Sequence, residues 1–324
     1  MKNSEIFLGT GMLVLLLLGL SHYAIGESQT SHNGENVNLS NSSVNTAFDN
    51  KLIPSTQKLK VVSSFFPIYE FVNTIGGDKI DSSILVPPET EPHDFEPTIN
   101  QIQLANSADV LVYSGLGIEK WVEKMDTPHK IDSSKGLHFL YTDSSNKTID
   151  PHVWLDPLLA KIQVENIRDG LTAIDPNNQE NYFNNAKNLL NELGILDKQI
   201  RTDLQSCTKR DFVAFHNAFS YFSKRYELRQ HSIASAGPEE EIKPQRLAEI
   251  IETARNLDLH VIYSEELIDP RSASAIAQEI PNGTVLVLSP IEGVTQIEQD
   301  AGIGYFEKMK QNVQNLKIGL QCNN

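Results

Sequence analysis

Short apolar runs alternate with amphipathic stretches along most of the chain. The apolar runs predict strands that begin at Leu59 and that cover 81–87, 110–115, 211–216, 260–264 and 284–288. Apolar residues at helical spacing predict helices over 68–75, 97–108, 118–125, 157–173, 177–204, 217–222, 244–256, 272–279 and 304–316. Strands and helices that alternate in this way are typical of an α/β fold with mainly parallel sheets flanked by helices.

The predicted helix over 177–204 is unusually long. Its apolar positions form one stripe: Tyr182, Ala186, Leu189, Leu190, Leu193, Leu196, Ile200 and Leu204. At 1.5 Å per residue such a helix would span about 42 Å, which is more than one small domain needs. We therefore predict two lobes: an N-terminal lobe over 58–176, a linking helix over 177–206 and a C-terminal lobe over 207–324.

The amino terminus has the pattern of a targeting segment. An apolar run from Ile6 to Leu20 ends in small residues near Gly26, which predicts over 1–26 either a cleaved signal peptide or a membrane anchor. Residues 27–57 are rich in Ser, Asn and Thr and predict a disordered polar tether. A tether behind an apolar run favours an extracytoplasmic domain, secreted or anchored at the outer face of the membrane.

Composition narrows the class of protein. The net charge of −15 argues against a nucleic-acid partner, which would require a basic face. The two cysteines, Cys207 and Cys322, are too few for a multi-cysteine zinc cage. Outside the cell they could form a disulfide that pins the C-terminal helix, and two unpaired thiols are the alternative.

Three histidines stand at rigid turns or strand ends. His93 follows Pro92, His152 lies between two Asp-Pro pairs, and His216 ends a predicted strand. Ligand sites of parallel sheets lie outside the carboxyl ends of the strands. Zinc commonly takes three protein nitrogens plus an oxygen or a water. The alternative for each histidine is a purely structural role in a turn or core.

The segments around these histidines resemble the metal-binding signatures of the zinc- and manganese-specific substrate-binding proteins of ABC uptake transporters. They read Pro-His-Asp-Phe-Glu-Pro at 92–97, Asp-Pro-His-Val-Trp-Leu-Asp-Pro at 150–157 and Phe-His-Asn-Ala-Phe-Ser-Tyr-Phe at 215–222. The resemblance implies two lobes joined by one rigid helix, with the metal in the cleft between them and little domain motion. It also implies a monomeric, non-enzymatic receptor that delivers metal to a membrane permease and its ATPase.

The resemblance maps the first three metal ligands onto His93, His152 and His216. The third ligand is glutamate in manganese-type members, so His216 favours zinc over manganese. Relatives often carry an aspartate where this chain has Ser289, which leaves Glu292, Glu265 or a water as the fourth ligand, with Glu292 preferred. Affinity is expected to fall as the histidines protonate near their ordinary pKa of about 6.5.

Two other functions compete with the receptor. A zinc hydrolase would use an open metal position and Glu265 or Glu292 as a base. The sequence has no His-Glu-x-x-His helix, no Gly-x-Ser-x-Gly elbow and no phosphate-binding glycine loop, which argues against that class. A surface adhesin that binds metal without a transporter is the other alternative.

Overall fold

The computed structural model describes residues 57–143, 148–234 and 242–323. The predicted leader over 1–26 and nearly all of the tether over 27–57 lie outside the described residues. Within the described ranges, no helix is both long and apolar enough to cross a membrane.

Strands and helices alternate as the sequence predicts. The strands are β1 Leu59–Ser63, β2 Ile80–Ile84, β3 Val110–Tyr113, β4 His129–Asp132, β5 Tyr141–Asp143, β6 Thr148–Ile149, β7 Asp211–Ala214, β8 Arg229–Ser232, β9 Val261–Ser264 and β10 Thr284–Val287. The α-helices are α1 Phe66–Gly76, α2 Ile99–Ser107, α3 Pro157–Ile174, α4 Gln179–Gln205, α5 Ser220–Tyr226, α6 Pro244–Asn256, α7 Arg271–Glu279, α8 Gln296–Asp300 and α9 Tyr305–Gly319.

Two parallel sheets have the same topology. The first has the order β2-β1-β3-β4, and the second, taken from its β8 edge, has the order β8-β7-β9-β10. In each sheet the second strand along the chain is therefore an edge strand beside the first. The third strand along the chain pairs with the opposite side of the first. Such an order places a crevice at the carboxyl ends of the two central strands, where the chain reverses its direction of winding. The α/β fold class is confirmed, while the exact lobe boundaries stay predictions.

The long helix α4 runs for 27 residues and packs against both halves of the protein. Gly194 does not interrupt it. Its predicted apolar stripe is buried from Tyr182 to Leu204, apart from a half-buried Leu190. One continuous apolar core runs from β1 through this stripe to α9. The helix is therefore part of the core rather than an exposed hinge.

Some elements differ from the sequence prediction. The segment predicted as a helix over 118–125 forms only a short 3-10 helix over Lys120–Lys124. The helix predicted from 217 begins at Ser220, because Ala218 N–H donates to the His216 carbonyl in a tight turn. The edge strands β4 and β8 were not predicted, since their sequences are largely polar and half-exposed.

A disulfide joins Cys207 to Cys322. Cys207 follows α4 and Cys322 follows α9, so the bond ties the ends of these two helices together. The disulfide alternative is therefore confirmed, and it closes a loop with a sequence separation of 115.

Candidate metal centre

Four side chains from four separate segments converge on one point. They are His93, His152, His216 and Glu292, and each offers one ligand atom within 4.8 Å of the other three. His93 follows β2, His152 precedes α3, His216 follows β7 and Glu292 follows β10. Three of the four donors thus follow strands of the two parallel sheets, and His216 follows a central strand, where such sheets bind ligands.

The turn between two Asp-Pro pairs aims His152. Asp156 caps α3 by accepting a hydrogen bond from Leu158 N–H at 2.9 Å, and Pro157 occupies the first helical turn. Asp150 accepts hydrogen bonds from His152 N–H at 3.0 Å and from Nδ1 at 2.7 Å. The Trp154 ring lies 5.3 Å from the His152 ring, measured between centroids. Because a carboxylate only accepts hydrogen bonds, Nδ1 carries the proton and Nε2 is left facing the site.

His216 is oriented in the same way. Its Nδ1 donates to Glu265 Oε1 at 2.7 Å, and its backbone N–H donates to the same oxygen at 3.2 Å. Glu265 directly follows β9, which neighbours β7 in the second sheet. The crevice between the central strands therefore holds a carboxylate–imidazole pair whose Nε2 points at the site.

The ligand atoms have the spacing of a tetrahedral zinc site. His152 Nε2 lies 3.1 Å from His93 Nε2 and 3.2 Å from His216 Nε2. Glu292 Oε1 lies 3.0 Å from His93 Nε2, 2.8 Å from His152 Nε2 and 3.7 Å from His216 Nε2. A tetrahedron with metal–ligand distances of about 2.05 Å has edges of about 3.3 Å. The donor set therefore fits one small divalent cation.

The site is almost closed to solvent. The side chains of His152, His216 and Glu292 are at most 1% exposed, whereas that of His93 is 17% exposed. Among the described residues Glu292 Oε2 has no hydrogen-bond partner although it is buried. A buried carboxylate oxygen without a donor costs free energy, and a bound cation would remove that cost.

The buried charges shift the protonation of the metal-free site. Burial disfavours charged His152, but its hydrogen bonds to Asp150 and Glu292 outweigh burial and raise its pKa to about 10. Burial also opposes a charged His216, and the charge of Glu265 outweighs it and raises that pKa. Burial opposes ionisation of Glu292, yet the charge of His93 and hydrogen bonds from the imidazoles hold its pKa well below the usual range. The expectation that the histidines titrate near 6.5 is therefore wrong for His152.

The structure distinguishes between the candidates for the fourth metal ligand. Glu292 lies among the converging ligand atoms, whereas Glu265 Oε1 is hydrogen-bonded to Nδ1 of His216, away from the Nε2 that faces the site. Ser289 does not join the converging atoms, and its hydroxyl donates to Glu266. The geometry favours Glu292 over Glu265 as the fourth donor.

Sequence reasoning missed the roles of three acidic side chains around the site, although it named Glu265 as a candidate fourth ligand. Asp150 and Glu265 hold the imidazoles, and Glu91 lies beside Glu292, where burial and that neighbouring carboxylate raise the pKa of Glu91 to about 11. The Asp150 contact had a local signal, since an aspartate two residues before a histidine can reach its backbone N–H. Glu265 and Glu91 had no such signal, because their partners are distant in sequence.

Known proteins are similar in sequence to most of this chain. The family model described as zinc-uptake complex component A, periplasmic, matches residues 61–319. The high-affinity zinc uptake system protein ZnuA of Bacillus subtilis is 37% identical, over 86% of this chain and 92% of its own. The zinc-binding protein AdcA of Streptococcus pyogenes is 34% identical over 83% of this chain, which spans only 57% of the length of AdcA.

Solved structures agree with the sequence relatives. The Zn(II)-bound ZnuA-like domain of Streptococcus pneumoniae AdcA superposes with a TM-score of 0.73 and 32% identity, over 82% of this chain and 99% of that one. The laminin binding protein of Streptococcus agalactiae, described as having adhesin and metal transporting activity, has a TM-score of 0.75 and 29% identity, over 82% and 100% of the two chains. The family-model match and the 37% identity to ZnuA together establish that this chain belongs to the ZnuA family of zinc-uptake components.

Proposed function

We propose that the protein is an extracytoplasmic receptor that captures Zn²⁺ and delivers it to the permease of an ABC transporter. The metal would be held by His93, His152, His216 and Glu292. The main observation that supports the proposal is the convergence of these four donors within 4.8 Å of one another. Membership of the zinc-uptake family supports the same cargo and the same extracytoplasmic location.

The chemistry of the donors favours zinc over manganese. Three imidazoles and one carboxylate suit Zn²⁺, whereas Mn²⁺ prefers carboxylate, carbonyl and water oxygens and a higher coordination number. The hydrogen bonds that Nδ1 of His152 and of His216 donate to carboxylates support this preference, since they orient the imidazoles and make them more basic ligands.

Capture by coordination explains the geometry better than catalysis does. A catalytic zinc keeps one position open for water, whereas in the proposed site the Glu292 carboxylate would take the fourth position. Glu265, one of the two candidates for the single base of a hydrolase, accepts a hydrogen bond from His216. We therefore infer a receptor that binds its cargo without chemical turnover, as a monomer, and passes it to the permease while the ATPase drives transport.

Metal titration tests the capture step. Competition against a chromophoric chelator should give one tight Zn²⁺ site per chain in the purified protein, and weaker binding of Mn²⁺. His216→Ala should weaken zinc binding strongly, whereas His138→Ala, a change at an exposed histidine outside the site, should have no effect. Anomalous scattering from zinc-soaked crystals should place one ion among the four donors. Tight zinc binding that survives His216→Ala would contradict the proposed site.

Turnover and adhesion are tested separately. Hydrolysis of ester or peptide substrates by the zinc-loaded protein, lost in His216→Ala, would favour an enzyme. The likeness to the laminin binding protein of Streptococcus agalactiae supports adhesion as a second candidate function. Binding of the zinc-loaded protein to immobilised laminin, together with normal zinc uptake by cells that lack the protein, would favour an adhesin over a transport receptor.

A further inference from the structure

The segment Ser289–Thr295, here called the Glu292 loop, is held at its start by helix α9. Ser289 N–H donates to Asn312 Oδ1 at 2.7 Å, and Asn312 Nδ2 donates back to the Ser289 carbonyl at 2.6 Å. Asn312 lies on α9 and is only 2% exposed. This reciprocal pair fixes the backbone at the point where the chain leaves β10 and turns toward the site.

A buried lysine on the same helix reaches both ends of the loop. Lys308 is 4% exposed, and its Nζ donates to Glu266 Oε1 at 2.7 Å and to Glu298 Oε1 at 2.9 Å. Glu266 accepts the hydroxyl hydrogen bond of Ser289, at the loop's start. Glu298 accepts from Thr295 N–H at 2.8 Å, at the loop's end. One ammonium group therefore links the two carboxylates that anchor the loop.

The loop needs such anchoring because its backbone is strained. Ile291, directly before Glu292, has a φ of 59° and is fully buried. The left-handed region is unfavourable for a β-branched residue and persists only where the surroundings impose it. Ile291 N–H donates to Ser289 Oγ at 3.0 Å, so the anchored serine holds the strained residue in place.

We propose that Lys308 is a positioning residue for the fourth metal ligand, Glu292, an inference that rests on the proposed function. Lys308 is not one of the converging ligands and acts by holding the ends of the Glu292 loop. Without its charge, Glu266 and Glu298 would repel each other and would have to take up water or protons. The strained Ile291 would then relax and carry the carboxylate of Glu292 away from the imidazoles.

Zinc affinity in a double-mutant cycle tests this role. Lys308→Met should weaken Zn²⁺ binding about 10- to 100-fold, the usual cost of losing a partner that orients a metal ligand. The matched control is Lys310→Met on the same helix, where the side chain is 66% exposed, and it should leave the affinity unchanged. In a Glu292→Ala background Lys308→Met should cost nothing further, because the ligand that it positions is already absent.

The visible spectrum of bound Co²⁺ gives a second measurement. Lys308→Met and Glu292→Ala should shift it in the same way, since both replace the carboxylate with water. A cavity of about 210 Å³ beside Lys308 can admit water to the remaining carboxylates, so the variant should fold. Ser289→Ala is the second variant, and it leaves the ion pairs of Lys308 intact. Like Lys308→Met, it should weaken zinc binding in the wild-type background and have no further effect in the Glu292→Ala background.

The outcomes separate this inference from the proposed function. Failure of the wild-type protein to bind zinc would end the proposed function. Tight binding that falls in Glu292→Ala but is unchanged in Lys308→Met and Ser289→Ala would overturn the positioning role alone. Equal losses in the wild-type and Glu292→Ala backgrounds would also overturn it, because they would show a general loss of structure.

Discussion

At the scale of single residues, the site consists of imidazoles whose far nitrogens are held by carboxylates. Asp150 holds His152 and Glu265 holds His216, each at 2.7 Å. The identity of the histidines was predictable, because rigid turns and strand ends leave a signal in the sequence. Their carboxylate partners were largely not predictable, because Glu265 is 49 residues away from His216 and meets it only through the pairing of neighbouring strands.

Glu265→Gln tests this orientation. Glutamine can still accept a hydrogen bond from Nδ1, but without the negative charge it makes the imidazole a weaker ligand. We expect zinc affinity at pH 7 to fall about tenfold, at the lower end of the range for such partners. The control is Glu252→Gln at an exposed position on α6, which should bind like wild type. Equal affinity of Glu265→Gln and wild type would show that the charge is unimportant.

Proton release is the second prediction at this scale. His152 has a pKa raised to about 10 in the metal-free site, so it carries a proton at pH 7 that zinc must displace. Lowering the pH strengthens the proton's competition, so the apparent zinc affinity should fall about tenfold for each unit by which the pH is lowered, per proton released. Calorimetry of zinc binding in two buffers with different ionisation enthalpies measures this number. A value of zero at pH 7 would contradict the prediction.

At the scale of elements, helical periodicity was a reliable signal for the longer helices. The predicted helix over 244–256 coincides with α6, and α4 departs from its prediction by only a few residues. The edge strands β4 and β8 escaped prediction because their sequences are largely polar and bury little apolar surface. The conformation of the Glu292 loop could not be predicted from its own sequence either, since it depends on α9, which lies later in the chain.

Tyr221 on α5 connects the β5–β6 region to the site. Its hydroxyl accepts from Leu140 N–H and donates to the Asp150 carbonyl, both at 2.8 Å. Tyr221→Phe would leave these two backbone groups without the hydroxyl, which should lower the free energy of unfolding by about 1–3 kcal/mol. Zinc affinity should also fall several-fold, because Asp150 orients His152.

Chemical denaturation and zinc competition measure the two effects. Tyr69→Phe is the matched control, since no hydrogen bond of the Tyr69 hydroxyl is found within the described residues. A Tyr221→Phe protein with the stability and affinity of wild type would show that the hydroxyl does not support the site.

The disulfide acts between elements as well. It joins the chain after α4 to the chain after α9 across a sequence separation of 115. Replacing both cysteines by serine should lower the free energy of unfolding by about 2–5 kcal/mol, mainly by releasing a constraint on the unfolded chain. Urea denaturation of the two proteins gives the difference, and a reductant should produce the same shift in the wild type alone. An unchanged midpoint in both experiments would contradict the prediction.

At the scale of the whole molecule, the two lobes share one core. Apolar residues of the first sheet, of α4 and of α9 belong to a single buried cluster, and α4 packs along both halves. A large hinge opening in the metal-free state would have to expose part of that cluster, and each square ångström of apolar surface that it exposed would cost about 25 cal/mol. The family resemblance implied little domain motion, and this shared core gives a physical reason for it.

We therefore expect zinc binding to change the shape of the protein very little. The radius of gyration from small-angle X-ray scattering should agree between the metal-free and zinc-loaded protein within experimental error, while the melting temperature rises because zinc binds only the folded state. The thermal shift shows that the metal is bound in the sample, so an unchanged radius then reports rigidity rather than lack of binding. A clear decrease of the radius on zinc loading would instead indicate a hinge, and the shared core around α4 would then have to come apart in the metal-free state.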